Sequence, residues 1–123
     1  MSSQGTVLIV DDDLDIRSTI ADALEEEGYE VAVAANGREA LEKLFEGARP
    51  NVILLDMMMP GTDGRAFRME QLKHPSIASI PIVVFTAYGV PRNTAAELGA
   101  HGFLKKPVRL DELLRCMKRF QPC

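Results

Sequence analysis

No apolar stretch in this 123-residue chain approaches the roughly 20 residues a bilayer span requires, so no membrane-spanning helix is expected. The opening residues, Met1 to Thr6, are polar and lack the charged-then-apolar pattern of a secretory signal. Basic residues are not in excess: 14 Lys and Arg stand against 18 Asp and Glu, for a net charge of −4. That balance leaves no electrostatic footprint for nucleic acid or an anionic membrane surface. Cysteine is scarce. Of the two, Cys116 and Cys123, the second is the final residue, where chain ends are usually mobile. A disulfide framework is therefore not expected, and two free thiols in a reducing, cytoplasmic setting are. There is no low-complexity segment and no linker to a second domain.

What is present is the composition of an ordinary globular domain, 46% hydrophobic and 26% charged, long enough to bury a core. Residues 6–120 read as one domain, with a disordered start at 1–5 and a tail at 121–123. Short β-type runs alternate with helical spacing. Thr6 to Val10 is followed by a face of Ile16, Ile20, Ala23 and Leu24 that stops at Gly28. A second strand, Glu30 to Ala34, precedes Asn36 and Glu39, an Asn form of the capping box. The helix it opens is expected to bury Ala40, Leu41, Leu44, Phe45 and Ala48, closing at Gly47 and Pro50. Val52 to Leu55 is wholly apolar, as befits a strand covered on both faces.

A loop with Pro60, Gly61 and Gly64 then leads to a helix from about Arg65 to Leu72. His74 to Ile80 reads as a connection, and Pro81 stands at the start of a strand over Ile82 to Phe85. Pro91 suits the first turn of a fourth helix, and Gly99 follows its end. Gly102 to Lys105 is a last short strand. The final helix is expected to bury Leu110, Leu113, Leu114, Met117 and Phe120, with Asp111 and Glu112 in its first turn complementing the helix dipole. Five β-α units with right-handed crossovers give an α/β, doubly wound parallel sheet in three layers.

Four of the apolar runs stop at polar residues. Val10 leads into Asp11 and Asp12, Leu55 into Asp56, Phe85 into Thr86, and Leu104 into Lys105 and Lys106. In a parallel sheet those C-terminal ends share one edge, where open α/β sheets bind ligands. Two like charges ~5 Å apart repel by roughly 3 kcal/mol at an effective dielectric of ~20. Three gathered carboxylates therefore call for a cation, and a hard divalent ion such as Mg²⁺ fits oxygen ligands and phosphate. Thr86 offers a hydroxyl donor to a phosphoryl oxygen, and a lysine offers a point charge. With no serine, cysteine or histidine at those ends, the nucleophile is itself a carboxylate. Asp56, alone at a central strand end, is the candidate; attack on phosphorus gives an aspartyl phosphate.

The segments Val7-Leu-Ile-Val-Asp-Asp-Asp13, Leu55-Asp-Met-Met-Met-Pro-Gly-Thr-Asp-Gly64, Val84-Phe-Thr-Ala87 and Gly102-Phe-Leu-Lys-Lys-Pro107 carry a family resemblance over essentially the whole length. The chain resembles the receiver domain of two-component response regulators, of the stand-alone type. The resemblance implies a flavodoxin-like sheet of order 2-1-3-4-5 with five helices. It implies that Asp56 is the phosphate acceptor and that Asp11 and Asp12 form the acidic pair of a Mg²⁺ site. Asp12, Asp56 and the backbone carbonyl of Met58 would be the direct ligands. Thr86 would be the switch hydroxyl, and Lys106, which directly precedes Pro107 through a cis bond, the family's lysine. Phe103 takes the place of the aromatic switch residue, without the hydroxyl a tyrosine would display. Met58 and Tyr88 occupy the positions that tune the lifetime of the phosphorylated state; both are bulky, so slow self-dephosphorylation is expected.

Several residues read more simply. Asp13 and Asp15 suit the first turn of the first helix, and Ile16 stands where a calcium loop needs glycine. Asp63 with Gly64 is turn chemistry, Met57 to Met59 are packing, and His74 and His101 are surface residues. Arg109, Arg115, Lys118 and Arg119 form a solvated helix face. A phosphatase of the haloacid type, also using an aspartyl nucleophile, fits poorly because Leu14 and Asp15 spoil its pattern. The expected function is a signalling switch rather than a turnover enzyme. It would be charged by a histidine kinase or phosphotransfer protein and read by an unknown downstream protein, as a monomer or a phosphorylation-dependent dimer. The rival readings are a receiver-fold interaction module that is never phosphorylated and an aspartyl-nucleophile phosphohydrolase.

Overall fold

The computed structural model describes residues 5–57, 64–86 and 98–120, with Thr86 described in its backbone alone. Five strands, β1 (Thr6–Val10), β2 (Glu30–Ala34), β3 (Val52–Asp56), β4 (Ile82–Thr86) and β5 (Gly102–Lys105), form one parallel sheet in the order β2-β1-β3-β4-β5. The helices among the described residues are α1 (Leu14–Glu26), α2 (Gly37–Phe45), α3 (Gly64–Leu72), a single turn α4 (Pro75–Ala78) and α5 (Leu110–Lys118). The helix expected after Pro91 lies outside the described residues, as do Pro60, Gly61 and both chain ends.

Side chains alternate across a strand, so each strand feeds two cores. Leu8, Val10, Ile53, Leu55, Ile82 and Val84 point to one face and meet Ala40 and Leu44 of α2, Phe67 of α3 and Ile77 of α4. Val7, Ile9, Val52, Leu54, Val83, Phe85 and Leu104 point to the other and meet Ile20 and Leu24 of α1 and Leu113 and Met117 of α5. Central β3 is buried at every position, whereas edge strand β2 is only partly covered. Each fully buried Leu or Ile contributes about 1.5–3 kcal/mol relative to exposure. The rigid frame this builds is what fixes the strand ends.

Two caps set helix starts. Asp13 is the N-cap of α1, its carboxylate accepting from the Asp15 and Ile16 amides. Asn36 caps α2 by accepting from the Glu39 amide at 2.8 Å. Gly28, Gly47 and Gly99 adopt positive φ where the sequence places helix stops.

Five expectations need correction. Phe45 is 54% exposed instead of buried, because α2 ends there; its ring meets the edge of His74 at 4.8 Å. Ala48 accordingly falls beyond the helix and is half-buried. Leu110 is 49% exposed, since the first residue of α5 precedes the turn that faces the sheet. The stretch from His74 to Ile80 is not all connection, because Pro75 starts the turn α4. On α1, Ala21 rather than Ala23 is fully buried beside Leu24.

Candidate functional site

The parallel register fixes where the strand ends fall. Val10 pairs with Leu55, Asp56 with Phe85, and Thr86 with Lys105. Asp11, Asp56, Thr86 and Lys106 therefore leave the sheet along one edge, although 95 positions separate the first from the last. One carboxylate oxygen from each of Asp11, Asp12 and Asp56 lies within 4.8 Å of the others. Asp11 is fully buried and Asp56 is 3% exposed, while Asp12 faces solvent.

Lys106 enters this acidic group from the end of β5. Its Nζ donates to Asp11 Oδ2 at 2.9 Å and to Asp56 Oδ2 at 3.2 Å. The ammonium also lies 4.9 Å from the centre of the Phe85 ring, a cation–π contact. Burial pulls the Lys106 pKa down, but the hydrogen bonds and charges of Asp11 and Asp56 outweigh it, and the pKa ends above the ordinary lysine value. The Lys106–Pro107 bond is cis, as the resemblance implied, and Lys105 is exposed.

Asp11 is held from several sides. Its amide donates to the Ala34 carbonyl at 3.1 Å, its Oδ1 accepts from the Asp13 amide at 2.9 Å, and its carbonyl accepts from Arg17 Nη1 at 2.9 Å. On the other side of Asp56, α3 begins at Gly64, where an added Cβ would lie 2.7 Å from Met57 Sδ and 3.1 Å from the Asp56 carbonyl. Only glycine lets α3 approach the acceptor strand this closely. The roles of Arg17 and of Gly64 in close packing were not visible in spacing alone. For Gly64 the signal was the glycine itself, read too narrowly as a turn residue.

The site thus unites Asp11, Asp12, Asp56 and Lys106 as expected, and register brings the Thr86 backbone beside them. The Met58 carbonyl, the Thr86 side chain and Tyr88 lie outside the described residues. Phe103, on β5, is 43% exposed. Three clustered carboxylate oxygens are hard donors that fit a Mg²⁺ ion, and one flanking ammonium leaves the cluster net negative.

The profile of the response regulator receiver domain matches residues 7–118. The chain belongs to that family. This receiver domain is 37% identical over 120 residues to sporulation initiation phosphotransferase F of Bacillus subtilis, covering 94% of this chain and 93% of that protein. It is 38% identical to the phosphate regulon transcriptional regulatory protein PhoB of Pseudomonas aeruginosa, covering 92% of this chain but 50% of that protein. A similar 44% applies to the probable transcriptional regulator ycf27 of Cyanophora paradoxa, so the chain spans about half the length of many curated relatives. Among solved structures, the chemotaxis protein CheY4 of Vibrio cholerae superposes with a TM-score of 0.87 at 35% identity, covering 96% of this chain and 99% of that one. Receiver domains are the phosphoacceptor switches of two-component systems. Among the described residues, no helix is long and apolar enough to cross a membrane.

Proposed function

We propose that this receiver domain takes a phosphoryl group onto Asp56 from a histidine kinase or phosphotransfer protein and changes its partner-binding surface in response. The observation that carries the reading is the buried Asp56 carboxylate, paired with Lys106 and adjoining Asp11 and Asp12 at one strand edge. An Asp56 oxygen attacks the phosphorus of the donor phosphohistidine. The P–N bond breaks as the P–O bond forms, and the imidazole nitrogen leaves with the electron pair. Asp11, Asp12 and Asp56 would hold Mg²⁺, with the Met58 carbonyl, and the ion would neutralise charge building on the phosphoryl oxygens. Lys106, freed from its bond to Asp56 as that oxygen becomes esterified, turns to a phosphoryl oxygen while Asp11 keeps it in place. Thr86 donates to another, and Phe103 moves with it.

The phosphate thereby shifts the population between two existing arrangements. An apolar recess of about 480 Å³, lined in part by Ile16, Ile20, Pro107 and Val108, opens beside Lys106 and offers the donor protein a surface next to the acceptor. Met58 and Tyr88 hinder water and prolong the phosphorylated state. The domain, residues 6–120, works in the cytoplasm, as a monomer or a phosphorylation-dependent dimer, and its output passes through a protein that reads the altered surface.

Incubating the protein with a small phosphodonor and Mg²⁺, then weighing it intact, tests this. The expected result is a gain of one phosphoryl group that Asp56→Asn abolishes. No gain in the wild type would leave a receiver-fold interaction module. Repeated hydrolysis of an external phosphate ester would make the protein a phosphohydrolase.

A further inference from the structure

Behind the site, on the face of the sheet covered by α2 and α3, a charged side chain is buried with no counter-charge among the described residues. Arg68 of α3 is 4% exposed and Gln71, one turn on, is fully buried. Among the described residues no carboxylate pairs with Arg68. Its donors go to neutral groups instead: Nε to the Leu98 carbonyl at 2.7 Å, Nη2 to the Gly99 carbonyl at 3.3 Å, and Nη1 to Gln71 Oε1 at 2.7 Å. Gln71 passes the connection on, its Nε2 donating to the carbonyls of Ile77 at 2.9 Å and Ile80 at 3.0 Å. Gly99 sits at φ +65, and a Cβ there would lie 3.4 Å from Arg68 Nη2, so glycine suits the approach.

The network thus ties α3 to two places at once. One is the turn that feeds β4, the strand ending in Thr86. The other is the lead-in to β5, the strand that carries Phe103 and ends at Lys106. Between Gly99 and Phe103 the chain is also held by the His101 amide, donating to the Ile82 carbonyl at 2.8 Å, by Arg119 Nη2, donating to the His101 carbonyl at 3.1 Å, by the Ile82 amide, donating to His101 Nδ1 at 3.4 Å, and by the pairing of Gly102 with Val83. A well-packed apolar side chain in place of a buried ion is often neutral or stabilising, so bulk stability is a weak account of Arg68. What a guanidinium adds is a rigid fork of directed donors that fixes position. Burial also holds its pKa below the ordinary arginine value.

We infer that Arg68 and Gln71 form a latch that holds the lead-in to β5 in its resting place, and that phosphorylation of Asp56 must loosen it before Phe103 shifts. The inference rests on the receiver reading of Asp56. Arg68 is a positioning residue in this scheme; it touches neither acceptor nor phosphate. Releasing the latch raises the fraction of molecules already in the phosphate-accepting arrangement, and the apparent rate of phosphorylation scales with that fraction.

The test uses the intact protein with acetyl phosphate and Mg²⁺, following the rate of phosphoryl gain by mass. Arg68→Met is expected to take up phosphate faster than wild type, by about threefold or more, with Arg68→Lys between them. In wild type, the Nε–H resonance of Arg68 is expected to move or broaden on phosphorylation. Equal rates for wild type and Arg68→Met would reduce Arg68 to a structural strut and overturn the latch. Should Arg68→Met fail to fold, an unmoved Nε–H resonance in phosphorylated wild type overturns it equally. A wild type that gains no phosphate defeats the receiver reading itself, a result distinct from normal uptake with no effect of Arg68.

Discussion

Lys106 reaches across 50 positions of sequence to lie 3.2 Å from Asp56, and the same ammonium lies 2.9 Å from Asp11. Two buried carboxylates therefore lean on one cation. Removing one partner of a buried ionic group typically costs about 3–5 kcal/mol, because the remaining charge is left uncompensated. Lys106→Met is expected to lose about 3 kcal/mol of stability in a chelator, with part of it restored by Mg²⁺. Urea melts in both conditions check this. A loss of about 1 kcal/mol or less, the value of an exposed pair, would show that the contact carries little.

Alkaline pH provides a second check. The folded state binds the Lys106 proton more tightly than the unfolded chain does, since the pKa is raised on folding. The stabilisation is thus full below the ordinary lysine pKa and is lost as pH rises through the higher folded value. Cys116 acts in the same direction: burial raises its thiol pKa, with Arg119 pulling partly back. Stability is expected to hold steady near neutrality with respect to both groups and to fall in the alkaline range. Alkylation of folded Cys116, followed by peptide mapping, is expected to require higher pH than a free thiol does. Rapid labelling at neutral pH would contradict the burial argument.

Mg²⁺ should bind the folded state and not the unfolded chain. At ten times its dissociation constant the ion is then expected to add about 1.4 kcal/mol, read as a rise in melting temperature. Asp12→Ala is expected to abolish most of that rise. Ca²⁺-free, Mg²⁺-titrated melts of the two proteins decide the matter, and equal shifts would remove Asp12 from the metal site.

Gly64→Ala tests the close approach of α3 to the acceptor strand. The added methyl would sit 2.7 Å from Met57 Sδ and 3.1 Å from the Asp56 carbonyl, so sulfur and backbone must both yield. Overpacking of this kind costs typically 1–3 kcal/mol, and a loss of about 2 kcal/mol is expected together with slower phosphorylation of Asp56. A variant as stable and as fast as wild type would show that the strand end has slack.

Much of this architecture is legible from strand-end chemistry. Asp11, Asp12, Asp56 and Lys106 are placed by apolar runs that stop at polar residues, because a parallel sheet leaves no other edge for them. The choice of Lys106 over Lys105 needed the family pattern at Pro107, since alternation alone allows either. Phe45 and Leu110 were misread because helical spacing says which residues share a face but not where a helix begins or ends. Arg68 and Gln71 escaped notice for a related reason. Polar residues within a helix read as solvated, and nothing in spacing shows that carbonyls from residues 77, 80, 98 and 99 converge on them.

The central claim is that Asp56 itself carries the phosphate. An aspartyl phosphate is an acyl phosphate, and borohydride reduces it to the alcohol, converting the acceptor side chain to homoserine. Phosphorylated protein, treated with borohydride, digested and sequenced by mass spectrometry, is predicted to show homoserine at position 56 and aspartate at positions 11, 12 and 13. Unreduced Asp56 in phosphorylated protein, or homoserine at another aspartate, would contradict the account.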